Sequence, residues 1–261
     1  MRAIHTRVMM SVYISIIVCL VSAGCSVKEY RDTCPCRLML DFSGVDTSIV
    51  KTANVLAVYS DGRTFSDAVP ASMFSEVYVR EISRGHIRLT IWGGEGVDEQ
   101  LLIPYGCECP PLYMHAFDAD VSGESFYEKV GMKKNHCCLK VLFDGKQEMP
   151  YSLTFRGNVD GYRTDGMPST GDFACVAYPL DDGGSQVVVP RQTDSSLLLD
   201  VEDEDISVLK TFAIGELLRA GGYDWNAEDL EDATVILDYY VTGIKITYKG
   251  WDKEYTYDII L

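Results

Sequence analysis

The sequence predicts an all-β protein: two antiparallel β-sandwich domains in tandem, with one or a few short helices. Three observations carry this expectation. Apolar and polar residues alternate with a period of two in segment after segment. Turn pairs punctuate the segments, at Asp61-Gly62, Asp144-Gly145, Asp160-Gly161 and Asp165-Gly166. About fourteen strands result, which exceeds a single seven-stranded sandwich.

The chain opens on an address. Arg2 and Arg7 precede an apolar run over residues 8–21, which is short for a membrane span. Ser22-Ala23-Gly24-Cys25 follows and resembles a bacterial lipobox, with Ser22 where that signal usually carries Leu. Cleavage after Gly24 and acylation of Cys25 are expected; an ordinary signal peptide with a stray cysteine is the alternative. Several acyl chains anchor stably, since each buried methylene contributes about 0.8 kcal/mol. Loss of residues 1–24 leaves 237 of 261 residues, and losing two arginines takes the formal charge from -16 to -18. Residues 25–33 then read as a lipidated tether, 34–134 as the first sandwich and 135–261 as the second.

Within the first sandwich, residues 37–42 and 55–59 are apolar strand runs. Residues 86–92 place Ile87, Leu89 and Ile91 on one face. The second opens on 138–143 and continues with 151–156, where Tyr151, Leu153 and Phe155 align, then 234–237 and 244–249. Residues 254–261 close the chain with Tyr255, Tyr257, Ile259 and Leu261 alternating. One helix is expected over 212–220, stopped by Gly221-Gly222 with Arg219 in its last turn. Shorter helical pieces are expected near 49–53, 71–74 and 227–230.

Composition and motifs mostly exclude. A formal charge of -16 argues against a nucleic-acid partner, because phosphate binding needs clustered Lys and Arg. No Gly-x-Ser-x-Gly, His-Glu-x-x-His, Walker loop or Gly-x-Gly-x-x-Gly is present, so no catalytic residue and no cofactor is expected. Ser207-Val-Leu-Lys210 matches Ser-x-x-Lys only by its four residues. His86 and His115 read as strand positions without an evident partner. The acidic run at 200–205 lacks EF-hand spacing and reads as a solvated turn.

The cysteines form the one constellation: Cys34-Pro-Cys36, Cys107-Glu-Cys109, Cys137-Cys138 after His136, and Cys175. Structural zinc sites favour two to four residues between cysteines, so no metal is expected. Disulfides or unpaired core cysteines fit better, in an oxidising compartment. Seven thiols remain once Cys25 is set aside, so at least one is free or pairs between chains.

Three stretches together are similar to a known family: Cys25 with Cys34-Pro-Cys36-Arg-Leu-Met-Leu-Asp41; His136-Cys137-Cys138; and Gly221-Gly-Tyr-Asp-Trp225 through Asp229, Asp232 and Ile236-Leu-Asp238-Tyr, with Trp251 and a closing strand. This resembles the lipoprotein anchor (minor) subunits of Bacteroidales type V fimbriae and related fimbrillin-like lipoproteins. The resemblance implies tandem transthyretin-like sandwiches and a non-enzymatic role at the base of a fimbrial rod, held in the outer membrane by the lipid on Cys25. The partners implied are that lipid and the fimbrial stalk pilins. Loss of such an anchor typically releases or lengthens fimbriae. Assembly would proceed by strand addition, in which an extended segment completes a neighbour's sheet. Residues 37–42 would be a retained first strand, and Tyr255, Tyr257, Ile259 and Leu261 a donated one, unless they simply close their own sheet. An alternative is a surface adhesin that stacks sugars on Trp92, Trp225, Trp251 and the many tyrosines.

Overall fold

The structure is a computed structural model describing residues 34–94, 101–143, 152–180, 184–202 and 205–237, with the backbone of two further strands at 243–249 and 254–260. Gly24, Cys25, Tyr151, Trp251 and Leu261 lie outside the described residues.

Alternation becomes strand wherever one face can be buried. In β1 (Cys36–Asp41), Cys36, Leu38 and Leu40 are fully buried between the outward Arg37, Met39 and Asp41. The first half continues with β2 (Thr52–Tyr59), β3 (Thr64–Pro70), β4 (Val77–Ile82), β5 (His86–Gly93), β6 (Tyr113–Asp120), β7 (Ser125–Lys129) and β8 (Lys133–Lys134). These form two sheets, in the orders β4-β1-β7 and β3-β2-β5-β6-β8. Leu38, Leu40, Phe42, Val55, Leu89 and Ile91 fill the core between them.

The second half holds β9 (His136–Phe143), β10 (Ser152–Tyr162), β11 (Pro168–Val176), β12 (Tyr178–Pro179), β13 (Ser185–Pro190), β14 (Leu198–Glu202), β15 (Val208–Phe212), β16 (Ala233–Leu237), β17 (Gly243–Lys249) and β18 (Glu254–Ile260). Its sheets run β11-β10-β14-β15 and β12-β13-β9-β16-β17-β18. Leu139, Phe155, Phe173, Leu199 and Val235 lie in their shared core.

Leaving aside β8, the two-residue β12 and the last hairpin, both halves have one topology. The order β4-β1-β7 recurs as β13-β9-β16, and β3-β2-β5-β6 recurs as β11-β10-β14-β15. In each, the first strand is antiparallel to one neighbour and parallel to the last strand: β1 to β7, and β9 to β16. The two sheets that hold β1 and β9 each contain this one parallel pair; the other two sheets are antiparallel throughout, as expected. The final strand of each sandwich arrives from the opposite sheet and so lies alongside the first rather than against it.

One α-helix is described, α1 (Ile214–Ala220). It begins later than residue 212 because β15 claims Phe212, which pairs with Leu199 and is buried. Glu216 and Arg219 match the ends of the helix dipole, and Gly222 supplies the left-handed stop at φ 87°. Residues 71–73 form a 3-10 turn. Residues 49–53 and 227–230 are turn and strand backbone rather than helix. No described helix is long and apolar enough to cross a membrane.

Candidate interaction surface

Among the described residues, two sheet ends and a polar seam define the candidate surfaces. The first end is β7. Beside it, β1 occupies the middle of its sheet, fully laddered between β4 and β7. The outward face of this sheet carries an apolar row, with Met39 opposite both Val79 and Tyr127. Val79 and Tyr127 are 43% and 53% exposed, which leaves the row open to contact. Tyr127 donates a 2.7 Å hydrogen bond to Asp41. Bonds from Ser43 and then from Tyr127 hold the Asp41 carboxyl at about 2.

The second end is β18. Beyond β16, where the first sandwich stops at β7, the second sandwich adds β17 and β18. In this hairpin, Tyr255 pairs with Tyr248, Tyr257 with Ile246 and Ile259 with Ile244. The candidate donor positions thus sit on the terminal strand of a six-stranded sheet.

Between the halves lies a polar seam. Arg191, which follows β13, sends its guanidinium to the carbonyls of Trp225 (2.6 Å) and Ala227 (2.7 Å), and its Nε to Asn135 Oδ1 (3.0 Å). The Tyr162 hydroxyl donates to the Asn135 carbonyl and accepts the Arg191 backbone N–H at 3.0 Å. Burial pushes that hydroxyl's pKa up, so it remains a donor. His136 is buried with Nδ1 3.1 Å from both the Leu112 N–H and the Leu112 carbonyl, and burial lowers its pKa to about 4. A cleft of about 660 Å³ opens beside the seam, with an apolar side of Val45, Ile49 and Met132. Three of its acids are engaged: Asp46 with Ser48, and Asp229 and Asp232 with Lys134.

The cysteines do not converge on one centre. Cys36 lies in the first core; Cys109, Cys137 and Cys175 lie in the second; Cys34 and Cys107 are exposed, and Cys138 is half-buried. The thiols of Cys137 and Cys175 are pushed up by burial, to about 12 and about 11. Among the described residues, no group of three or more His, Cys, Asp or Glu is placed to hold a metal ion.

Several sequence expectations change. Trp92 and Trp225 are buried, so neither can stack a sugar. His115 does have a partner, Glu128, at 3.1 Å. Asp200 is no solvated turn residue: it lies in β14, is 1% exposed, and meets Arg156 and Thr211. Ser207-Val-Leu-Lys210 runs into the edge strand β15, not a helix start. Arg191, Tyr162 and Asn135 had no local signal, since each acts on backbone groups distant in sequence.

No protein-family model matches the chain, and no curated protein matches it. Solved structures do. The fimbrial anchor protein Mfa2 from Porphyromonas gingivalis matches with a TM-score of 0.60 at 11% identity, over 84% of this chain and 98% of that one. The fold is shared. A Bacteroides thetaiotaomicron structure provisionally described as polysaccharide-binding (DUF1812) matches at 0.62 with 14% identity, over 86% and 98%. A Bacteroides ovatus protein provisionally described as an adhesin matches at 0.59 with 11% identity, over 86% and 96%. Over 84–86% of its length the chain therefore shares the fold of these proteins.

Proposed function

We propose that this chain is a fimbrial anchor or minor subunit, lipid-anchored in the outer membrane through Cys25, that joins a pilin polymer by β-strand addition. It acts as a structural protein, not an enzyme. The observation that carries the reading is the position of β1. A subunit that accepts a strand in place of its own first strand must open a groove there; here β1 fills the middle of its sheet, with Leu38 and Leu40 fully buried. A sandwich that holds its own first strand suits one end of a polymer. The resemblance in fold to an anchor protein supports the same role.

The contact to the rod is assigned to the terminal hairpin. The pairing of β17 on β16 is a template for how a hairpin extends a sandwich edge by main-chain bonds. Among the described residues, the first sandwich leaves the equivalent position beside β7 without such a hairpin. The adhesin reading loses two of its three tryptophans, because Trp92 and Trp225 are in the interior.

Mild outer-membrane extraction with cross-linking tests the role. A ladder containing a second β-sandwich pilin, with acylated Cys25 in the same spectra, is the expected result; a membrane monomer with no pilin would overturn it. Deleting residues 254–261 is expected to release the rod while leaving the far-ultraviolet circular dichroism β-rich. Loss of folding would return β18 to a purely structural role.

A further inference from the structure

The connection from β5 to β6 does not turn back as a hairpin. Its residues 101–112 cross the second sandwich as a strap. Leu102 bridges Gly161 of β10, and Ile103 donates to the Asp160 carbonyl at 2.7 Å. Gly106 then donates to Ala174 of β11 at 2.9 Å, and Cys109 to Val188 of β13 at 3.1 Å. Glu108 accepts the Val188 N–H. The strap thus spans from one sheet of the second sandwich to the other, and Ile103 and Cys109 enter its core.

Three thiols lie on or beside this crossing. Cys175 follows Ala174, the residue that holds Gly106, and is 2% exposed. Cys109 is 1% exposed in the same core, and Cys107 is exposed two residues before it. They are electrostatic neighbours: Cys109 feels Cys175, and Cys175 feels Glu108 and Cys107. Cys175 is the shared partner.

We propose that Cys175 forms an intrachain disulfide with Cys107 or Cys109, stapling the strap of the first sandwich across the second. The oxidant is a protein or small-molecule disulfide. The exposed Cys107 thiolate attacks one oxidant sulfur and expels the other as a thiolate. The Cys175 thiolate then attacks the Cys107 sulfur and expels the second oxidant thiolate. Two cysteine thiols become one cystine, and the two protons they lose leave the oxidant as two thiols. Attack by Cys109 on Cys107–Cys175 at the Cys175 sulfur moves the bond inward and returns Cys107 to a thiol. Either linkage is the same staple, and it stands or falls independently of the anchor role.

The full chain, reduced and then exposed to oxidised glutathione, provides the test. After denaturation and alkylation, a non-reducing tryptic digest is expected to contain peptide 89–129 linked to peptide 164–191, lost on reduction. Single Cys107→Ser and Cys109→Ser variants show which thiol carries the bond. Oxidation is expected to raise Tm by roughly 5–10 °C, and Cys175→Ala to abolish that gain. Full alkylation of all three thiols, or Cys175 linked to any other cysteine, would overturn the proposal; the wild-type map needs no variant to fold.

Discussion

At the scale of single residues, His136 shows how burial alone sets a titration. Its ring sits edge-on to Tyr113 at 5.3 Å, against the backbone of Leu112. Its folded pKa of about 4 lies below the ordinary imidazole value of 6.5. The unfolded state therefore binds the proton more tightly, so stability is intact above pH 6.5 and falls as pH drops toward 4. The full loss is about 3 kcal/mol. Urea titrations at pH 7 and pH 4.5 are expected to differ by about 2–3 kcal/mol in the wild type and by much less in His136→Asn. An unchanged pH dependence in the variant would shift the acid sensitivity to other groups. Sequence reading placed the strand here but not the chemistry. Nothing in His136-Cys137-Cys138 says that the imidazole faces the preceding connection rather than a metal. Asp200 misled for the same reason. An acidic run looks solvated, yet β14 buries one of its carboxylates against Arg156.

At the scale of elements, strands were legible where one face meets the core and illegible where both or neither does. β5 announces itself by alternation, and β2 and β9 by apolar runs. β3 and β7 are edge strands with polar, half-exposed sequences, and the run in β5 is apolar past the point where alternation ends. Trp92 and Thr90 there are buried against Tyr162, Leu101 and the Thr164 carbonyl, all contributed by the strap and the second sandwich. The strap itself had a sequence trace: Pro104, Pro110 and Pro111 exclude regular helix over residues 101–112, and a turn closes after Pro104, where Cys107 donates to its carbonyl at 2.9 Å. Its passage over β10 depends on Gly161. A Cβ there would meet the Leu101 carbonyl oxygen at 2.3 Å, on backbone at φ 152°. Gly161→Ala is expected to destabilise by about 2–4 kcal/mol and to expose Cys109 to alkylation in the native state. Wild-type thiol protection in the variant would count against the strap's dependence on that glycine.

At the scale of the molecule, two sandwiches of one topology are built from sequences that show no repeat. Topology is set by which faces must be covered, and many unrelated apolar patterns satisfy one strand order. The same indifference explains why fold similarity persists at 11% identity. Parallel pairing of first and last strands could not be read from local pattern, because it joins residues far apart in the chain. The halves are also not separable. Ile103 and Cys109 belong by sequence to the first half and by packing to the second. A fragment of residues 135–261 is expected to be poorly soluble and to bind hydrophobic dyes, while the full chain unfolds in one transition. A well-folded, dye-negative fragment would show that the strap is dispensable.

The central position of β1 has a mechanical consequence. A pull on the chain ahead of Cys36 runs along β1, whose ladders to β4 and β7 lie parallel to the load. Both ladders are then sheared at once rather than unzipped bond by bond, and rupture requires many backbone bonds to fail together. A tether at that point makes the first sandwich a load-bearing clamp. Single-molecule stretching from the N-terminus is expected to meet a high-force barrier before β1 is extracted; extraction at low force would show that the ladders peel. A lipid-tethered protein that feels drag on a filament would rely on that geometry, not on the depth of its equilibrium stability.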